Sequence, residues 1–132
     1  MQPTLSQVCS LNSSLENDVE QYAAGACRSI ELWLGKVETY LHTHTVDDLR
    51  QLLSEHEVSA PVASFQGGLL LSQGDARREH WDHFARRLEL CQALGVSTLV
   101  IAGDIIGPLT QTDLERVQAS LVQAAAQAGA RG

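Results

Sequence analysis

The sequence lacks most of the features that mark nucleic-acid-binding, membrane and disulfide-stabilised proteins. Its 132 residues contain nine basic and 16 acidic side chains, and the net charge of −7 argues against a general binder of nucleic acid or anionic membranes. It has neither a signal-type segment at its start nor an apolar run of about 18 residues. The three cysteines show no CxxC spacing, which favours free thiols in a reducing compartment. We therefore expect a soluble cytoplasmic protein without nucleic-acid or membrane partners.

Familiar catalytic and nucleotide-binding motifs are also missing. No GxSxG, P-loop or GxGxxG sequence occurs. His42 and His44 have the spacing of a metal-binding pair, but no third ligand lies nearby in the sequence, which favours a solvated loop. His80 and His83 lie three residues apart on a predicted helix, where we expect them at the surface or beside Trp81.

A regular alternation of strand and helix signals runs through the chain. Apolar or β-branched runs predict strands at residues 4–11, 30–34, 58–66 and 98–102. Helices are predicted to begin at capping boxes Ser13-x-x-Glu16 and Thr112-x-x-Glu115, at Thr45, and at Gly74 or Asp75. The helix from Gly74 or Asp75 is predicted to have an apolar stripe of Trp81, Phe84, Leu88, Cys91 and Leu94. The last helix is predicted to bury Leu114, Val117, Leu121 and Ala125. Residues 35–44 are predicted to form a loop.

Alternating strands and helices imply a parallel sheet with right-handed crossovers. Four βα units in 132 residues average about 33 residues each, close to the roughly 31 of a (β/α)8 barrel. Residues 24–28 (AGACR) precede the second strand, and residues 128–132 (AGARG) nearly repeat them, as they would before a fifth strand. We therefore predict an α/β fold in which residues 1–132 form a single partial domain, the N-terminal half of a TIM barrel. A complete flavodoxin-like sheet is the alternative, although it usually needs a fifth strand and helix.

The second predicted strand carries a charge inside an apolar run. Period-2 alternation places Ile30, Leu32 and Leu34 on one face. It places Glu31 and Trp33 on the other face. A carboxylate on the inner face of a strand is costly without a partner, a ligand or water. Glu31 is therefore the leading candidate for a site residue.

Two segments resemble the sugar phosphate isomerase/epimerase group of xylose isomerase-like TIM barrels. They are residues 24–33 (AGACRSIELW), a helix end leading to a strand with an inner Glu, and residues 93–103 (ALGVSTLVIAG). The resemblance extends over essentially all 132 residues. The related DNA-repair endonucleases of the superfamily use histidines on their early strands, whereas here the third and fourth strands end in Phe65-Gln66 and Gly103-Asp104.

The resemblance implies a divalent metal (Mn, Mg, Co or Zn) bound by carboxylates and a histidine. It also implies paired glutamates that move a proton between adjacent carbons of a sugar or sugar phosphate. Those groups come mainly from the fifth to eighth strands of the family. We therefore expect the metal ligands outside this chain and assign none to its residues.

Five residues are candidates for substrate binding on this resemblance, because function in such barrels lies at the carboxyl ends of strands. Glu31 would accept hydrogen bonds from sugar hydroxyls or hold Lys36 or an arginine; a structural ion pair or a solvated carboxylate is the alternative. Trp33 would form a wall of the sugar pocket, or simply fill the core. Lys36, the only lysine, would bind a phosphate or carboxylate, or remain solvated. Gln66 would bind a sugar hydroxyl, and Asp104 would face the pocket or belong to a turn.

Two hypotheses for the function follow from these observations. In the first, the chain is half of a metal-dependent sugar (phosphate) isomerase or epimerase, inactive on its own and paired with a C-terminal half. In the second, it is a non-catalytic scaffold. Its first and fourth strands would have open edges, and two copies would close one eight-stranded barrel as a homodimer.

Overall fold

A computed structural model describes residues 3–131, which form four parallel strands alternating with helices. The strands are β1 (Leu5–Ser6), β2 (Ser29–Trp33), β3 (Ser59–Gln66) and β4 (Thr98–Ile101). The helices are α1 (Leu15–Ala24), α2 (Leu34–Tyr40), α3 (Val46–Glu55), α4 (Gly74–Leu94) and α5 (Gln111–Gly129). The strand order β1-β2-β3-β4 and the parallel pairing confirm the predicted half-barrel.

Between the register shifts at Ser29–Glu31 and Ser64–Gln66, the residues of β2, β3 and β4 form rows across the sheet. One row contains Leu32, Ala63 and Leu99, and the next contains Trp33, Ser64 and Val100. Leu32 and Ala63 are fully buried in a core that also contains apolar side chains of α1, α2, α3 and α4. The helices therefore cover the face of the sheet that carries Leu32. We call the opposite face the open face.

A second, smaller core explains an unusually apolar connection after β3. Leu69 and Leu70 are buried, although they lie in a loop, because they pack beneath Trp81 and Phe84 of α4 and Ala124 of α5. The loop thereby fills the space between the last two long helices. The predicted apolar stripe of α4 is confirmed by the burial of Trp81, Phe84, Leu88 and Cys91.

Several predicted boundaries are wrong by a few residues. The first strand covers only Leu5–Ser6, and a 3₁₀ helix at Gln7–Ser10 follows it. Residues 34–40, predicted mostly as loop, form α2, which begins directly after β2. The N-cap of α1 is Ser14, whose hydroxyl accepts from the Asn17 N–H, and not Ser13.

The capping boxes of α3 and α5 show how the helix starts are set. Thr45 and Asp48 exchange the two reciprocal hydrogen bonds of a capping box, as Thr110 and Asp113 do at α5. The start predicted at Thr45 is confirmed. The box predicted at Thr112 is wrong, because Thr110, two residues earlier, has the extended backbone that an N-cap requires.

The last unit of the sheet, β4 with α5, is termed the edge unit (residues 98–129). The stripe predicted for α5 is partly wrong: Leu114 and Leu121 are exposed, whereas Ser120 and Ala124 are buried. The helix approaches its neighbours through these small residues, and the Ser120 hydroxyl donates to the Leu70 carbonyl. Within residues 3–131, no helix combines the length and apolar character needed to cross a membrane.

Candidate functional site: the open face

The open face carries the polar and aromatic side chains that the sequence placed opposite the core. Ile30 and Leu32 are fully buried against the helices. Because strand residues alternate between faces, Glu31 and Trp33 lie on the open face. Both are half-buried. The two candidate residues therefore share one face, two positions apart, as strand alternation predicts.

Glu31 lies opposite Ser6 of β1, its register partner. The Ser6 hydroxyl donates to Glu31 Oε1 at 3.0 Å. Among residues 3–131, Glu31 forms no salt bridge with Lys36 or an arginine. A half-buried carboxylate that accepts one neutral hydrogen bond retains free acceptor positions for further donors.

Trp33 forms the aromatic part of the open face together with Phe65. The two rings meet edge-to-face, with centroids 5.3 Å apart. The backbone N–H of Trp33 donates to the buried Gln7 side chain at 3.0 Å, which fixes the end of β2. Glycine at position 35 leaves room for this ring, since a Cβ there would lie 2.7 Å from the Trp33 indole nitrogen and would displace it.

Lys36 lies in a buried polar cluster beneath the end of β1. Its Nζ donates to Asp18 Oδ2 at 2.5 Å and to the Ser10 carbonyl at 2.6 Å. The side-chain amide of Gln7 donates to the same carboxylate oxygen of Asp18. Asp18 is only 1% exposed. The only lysine of the chain thus balances a buried charge, and its role as a phosphate or carboxylate ligand stays a prediction.

Gln66 is placed on the helix side of β3, next to Ile101 in register and only 1% exposed. Its amide donates to the Gly67 carbonyl, and Arg87 of α4 donates weakly to its side-chain oxygen at 3.4 Å. The register shifts between Ser64 and Gln66, and this shift turns Gln66 away from the open face. Its binding of a sugar hydroxyl stays a prediction.

Arg87 fastens the end of β3 to α2 and α4. Its guanidinium donates to both carboxylate oxygens of Glu38, at 2.7 and 2.9 Å, and to the Phe65 carbonyl at 2.7 Å. His83 Nε2 lies 2.7 Å from the same carboxylate. Burial of Glu38 disfavours its charge, but the hydrogen bonds from Arg87 and His83 outweigh this, and its pKa lies below the ordinary value.

Asp104 clamps the loop after β3. Its two carboxylate oxygens accept from the backbone N–H groups of Leu70, Leu71 and Ser72, at 2.9 to 3.2 Å. Burial opposes the charge of Asp104, but these backbone donors outweigh it and hold the pKa of the carboxyl below its ordinary value. The hydrogen-bond partners of Asp104 within the fold are therefore structural, and its contact with a substrate stays a prediction.

The histidines do not come together as a metal site in the described chain. His42 and His44 are exposed, and His44 stacks on Tyr40 with ring centroids 4.1 Å apart. His80 lies against Gly68, where a Cβ would touch its ring, and His83 pairs with Glu38. Residues 3–131 contain no group of three or more His, Cys, Asp or Glu side chains placed to hold a metal ion.

Sequence reasoning missed three residues of the open face: Ser6, Ser64 and Phe65. Ser6 was predicted to lie in a longer strand, and its pairing with Glu31 depends on the sheet register. The sequence indicates Ser64 and Phe65 only as part of a strand. The alternation of β3 around the buried Ala63 could have placed Ser64 on the open face, whereas the local shift that exposes Phe65 has no local sequence signal.

Comparison with known structures identifies the fold. The chain superposes on the IolI protein, described with a binding zinc atom, with a TM-score of 0.88 and 20% identity; the match covers all of this chain and 49% of that one. A xylose isomerase-like TIM barrel/4-hydroxyphenylpyruvate dioxygenase fusion protein matches with a TM-score of 0.80 and 21% identity, over all of this chain and 20% of the fusion.

D-psicose 3-epimerase from Clostridium cellulolyticum H10, described with D-tagatose, matches with a TM-score of 0.70 and 16% identity over all of this chain and 50% of the epimerase. The chain thus spans about half the length of the IolI protein and of the epimerase. No protein-family model and no curated protein sequence matches it. The predicted resemblance to xylose isomerase-like TIM barrels is confirmed for the fold: the chain forms half of such a barrel.

Proposed function

We propose that this chain supplies one half of a sugar isomerase or epimerase barrel and binds part of a sugar or sugar phosphate on its open face. The observation that carries this proposal is the Glu31 carboxylate, which lies on that face beside Trp33 with no counter-ion among residues 3–131. The fold likeness to an epimerase structure described with D-tagatose supports the choice of substrate class.

Glu31 and Trp33 offer a sugar two complementary surfaces. A carboxylate accepts strong hydrogen bonds from hydroxyl groups, which are the most abundant donors of a sugar. The Trp33–Phe65 pair offers an apolar wall for the C–H groups of the same molecule. The two residues are two positions apart on β2, so their Cα atoms are separated by about 6.6 Å, a distance that one sugar ring can span.

The proton transfer between adjacent sugar carbons is assigned to groups outside the described chain. Residues 3–131 carry no three-ligand cluster, so they do not by themselves fit the divalent metal that the fold family implies. We therefore assign to this chain the binding and orientation of the sugar only. On its own, the chain should bind the sugar without isomerising or epimerising it.

The binding half of this proposal is tested by a titration of the ¹⁵N-labelled chain with D-tagatose and D-fructose, followed by NMR. The indole N–H of Trp33 and the amides of β2 should shift. The indole of Trp81, only 8% exposed in the second core, should stay in place. The variant Glu31→Gln should bind more weakly because it loses the charge that strengthens the hydrogen bonds.

Two controls make the titration specific. Glu20→Gln removes an exposed carboxylate from α1, away from the open face, and should bind as the unmodified chain does. Glycerol at matched concentration should leave the Trp33 signal unchanged. A Trp33 indole that ignores both sugars, or equal losses in the Glu20 and Glu31 variants, would contradict the proposal.

A second candidate function is a non-catalytic half-barrel that pairs with a second copy. The supporting observation is the position of the exposed large apolar side chains among residues 3–131. Three of the ten lie at the β1 end of the sheet, namely Leu5, Val8 and Leu11, and one is Phe65 of β3. The other six belong to the edge unit: Val100, Ile105, Ile106, Leu114, Leu121 and Val122. A second copy would bring each apolar end against the other and close both open strand edges.

Sedimentation velocity across a concentration series separates the two candidates. The scaffold hypothesis requires a dimer. The Val122 side chain is 65% exposed, and the variant Val122→Glu should shift the equilibrium toward monomer. A well-folded chain that stays monomeric at all concentrations would eliminate the scaffold reading and leave sugar binding to be judged by the titration.

A further inference from the structure

Ser64 lies in the middle of the open face. Its register partners are Trp33 on β2 and Val100 on β4. The preceding residue, Ala63, is fully buried in the core on the helix side, so strand alternation directs Ser64 to the other face. The hydroxyl is therefore placed among the residues that the proposed function assigns to sugar binding.

The Ser64 hydroxyl has no hydrogen-bond partner among residues 3–131, although the residue is only 4% exposed. Buried polar groups are nearly always paired, so a buried hydroxyl without a partner needs an explanation. One other buried side-chain atom of the described chain is in this state, the Trp81 indole nitrogen. It belongs to the second core, under α4, and not to the open face.

Alanine would fill the Ser64 position as well as serine if packing were the only requirement. A strand residue on an apolar row gains nothing from a hydroxyl that donates to no group of the fold. Unpaired polar groups persist mainly where function requires them. The hydroxyl at position 64 is therefore better explained by a ligand than by stability.

Trp33 and Phe65 are the large side chains next to Ser64, one its register partner and one its chain neighbour. Phe65 is 41% exposed, whereas the core residues around it are buried. Its ring can therefore turn aside without opening the core. That motion would uncover the Ser64 hydroxyl beside Trp33.

We propose that the Ser64 hydroxyl is a sugar-binding group that becomes accessible when the Phe65 ring turns aside. This inference rests on the proposed function, because it names a second polar contact for the same sugar. Glu31 pairs in register with Val62, two residues before Ser64. From strand spacing and rise, the Cα atoms of Glu31 and Ser64 are roughly 8 Å apart, so the two residues would hold hydroxyls at different positions of one sugar.

The test compares Ser64→Ala with Ser59→Ala, a matched change on the same strand. The Ser59 hydroxyl donates to the Arg28 carbonyl at 2.9 Å, at the start of β3 and five residues before Ser64. Each variant is titrated with D-tagatose by NMR and melted without ligand. Ser64→Ala should bind about three- to tenfold more weakly, the effect of one neutral hydrogen bond, with an unchanged or raised melting temperature. Ser59→Ala should show the reverse pattern: unchanged binding and a lower melting temperature.

The outcomes distinguish a failure of the Ser64 inference from a failure of the proposed function. If the unmodified chain binds D-tagatose and Glu31→Gln weakens it, but Ser64→Ala binds equally well, the Ser64 inference is wrong and the proposed function stands. A fall in the melting temperature of Ser64→Ala would also overturn it, since that would reveal a partner for the hydroxyl within the fold. If the unmodified chain binds no sugar, the proposed function fails, and the Ser64 inference fails with it.

Discussion

Strands β2 and β4 carry similar apolar runs, yet they are buried to very different extents. Ile30 and Leu32 of β2 are fully buried, whereas Leu99 and Ile101 of β4 are half-buried and Val100 is 41% exposed. β2 has a neighbouring strand on each side, but β4 pairs only with β3 in the described chain. A β-branched run thus indicates a strand and not its burial, because burial depends on what covers the strand.

The edge unit is held to the rest of the fold by polar contacts as much as by apolar ones. Asp104 accepts three backbone N–H groups of the preceding loop, and the Ser120 hydroxyl donates to the Leu70 carbonyl. Arg77 of α4 donates to Ser120 at 3.1 Å. α2 and α3, in contrast, bury Val37, Leu49 and Leu53 in the main core. The comparison predicts that substitutions in β2, α2 and the main core will cost more than equivalent ones in the edge unit.

The largest contrast should come from ion pairs. Lys36→Met leaves the buried Asp18 carboxylate without its cation and should cost about 3–5 kcal/mol in the free energy of unfolding. Arg116→Ala removes an exposed pair with Asp113 in the edge unit and should cost no more than about 0.5 kcal/mol. Urea unfolding of both variants measures the difference, and equal losses would contradict the burial of the Lys36 cluster.

Matched leucine truncations test the apolar side of the comparison. Leu32→Ala, at a fully buried position of β2, should cost about 2–5 kcal/mol. Leu121→Ala, at a position 47% exposed on α5, should change stability by about 0.5 kcal/mol or less. Thermal and urea melts of the two variants provide the measurement. A large loss of stability for Leu121→Ala would mean that α5 is covered in solution, as the scaffold hypothesis requires.

Asp104 offers a pH-dependent test of how the edge unit is fastened. Its pKa in the fold is below the unfolded value of about 3.9, so its contribution to stability is fully present above that value and is lost as the pH falls through the folded pKa. Asp104→Asn should therefore destabilise by roughly 1 kcal/mol at neutral pH. The difference from the unmodified chain should shrink as the pH is lowered below about 3.9. A difference that is constant with pH would contradict the clamp.

The smallest effect on stability is expected at Ile106, which is 97% exposed in the loop between β4 and α5. Ile106→Asp should leave the free energy of unfolding within about 0.5 kcal/mol of the unmodified value. The same variant should weaken any association through the edge unit, because it places a charge within an exposed apolar group. Urea unfolding at low concentration and sedimentation at high concentration separate the two effects.

Much of the fold could be predicted from periodicity and capping signals. The alternation of strands and helices, the start of α3 at Thr45 and the buried stripe of α4 were predicted correctly, since each depends on local residue patterns. α2 could not be predicted, because its seven residues form a helix only as they pack Val37 and Tyr40 into the core. The N-caps of α1 and α5 were misplaced because neighbouring Ser or Thr residues offered equal local signals.

The candidate site divides along the same line. The sequence by itself determined that Glu31 and Trp33 share a face opposite the core, since strand alternation is a local property of the chain. Only the tertiary structure decided the partners: Lys36 with Asp18, Gln66 beside Arg87, and Asp104 with the loop after β3. The partners of Lys36, Gln66 and Asp104 lie between 18 and 34 residues away along the chain, so the packing that brings them together has no local signal.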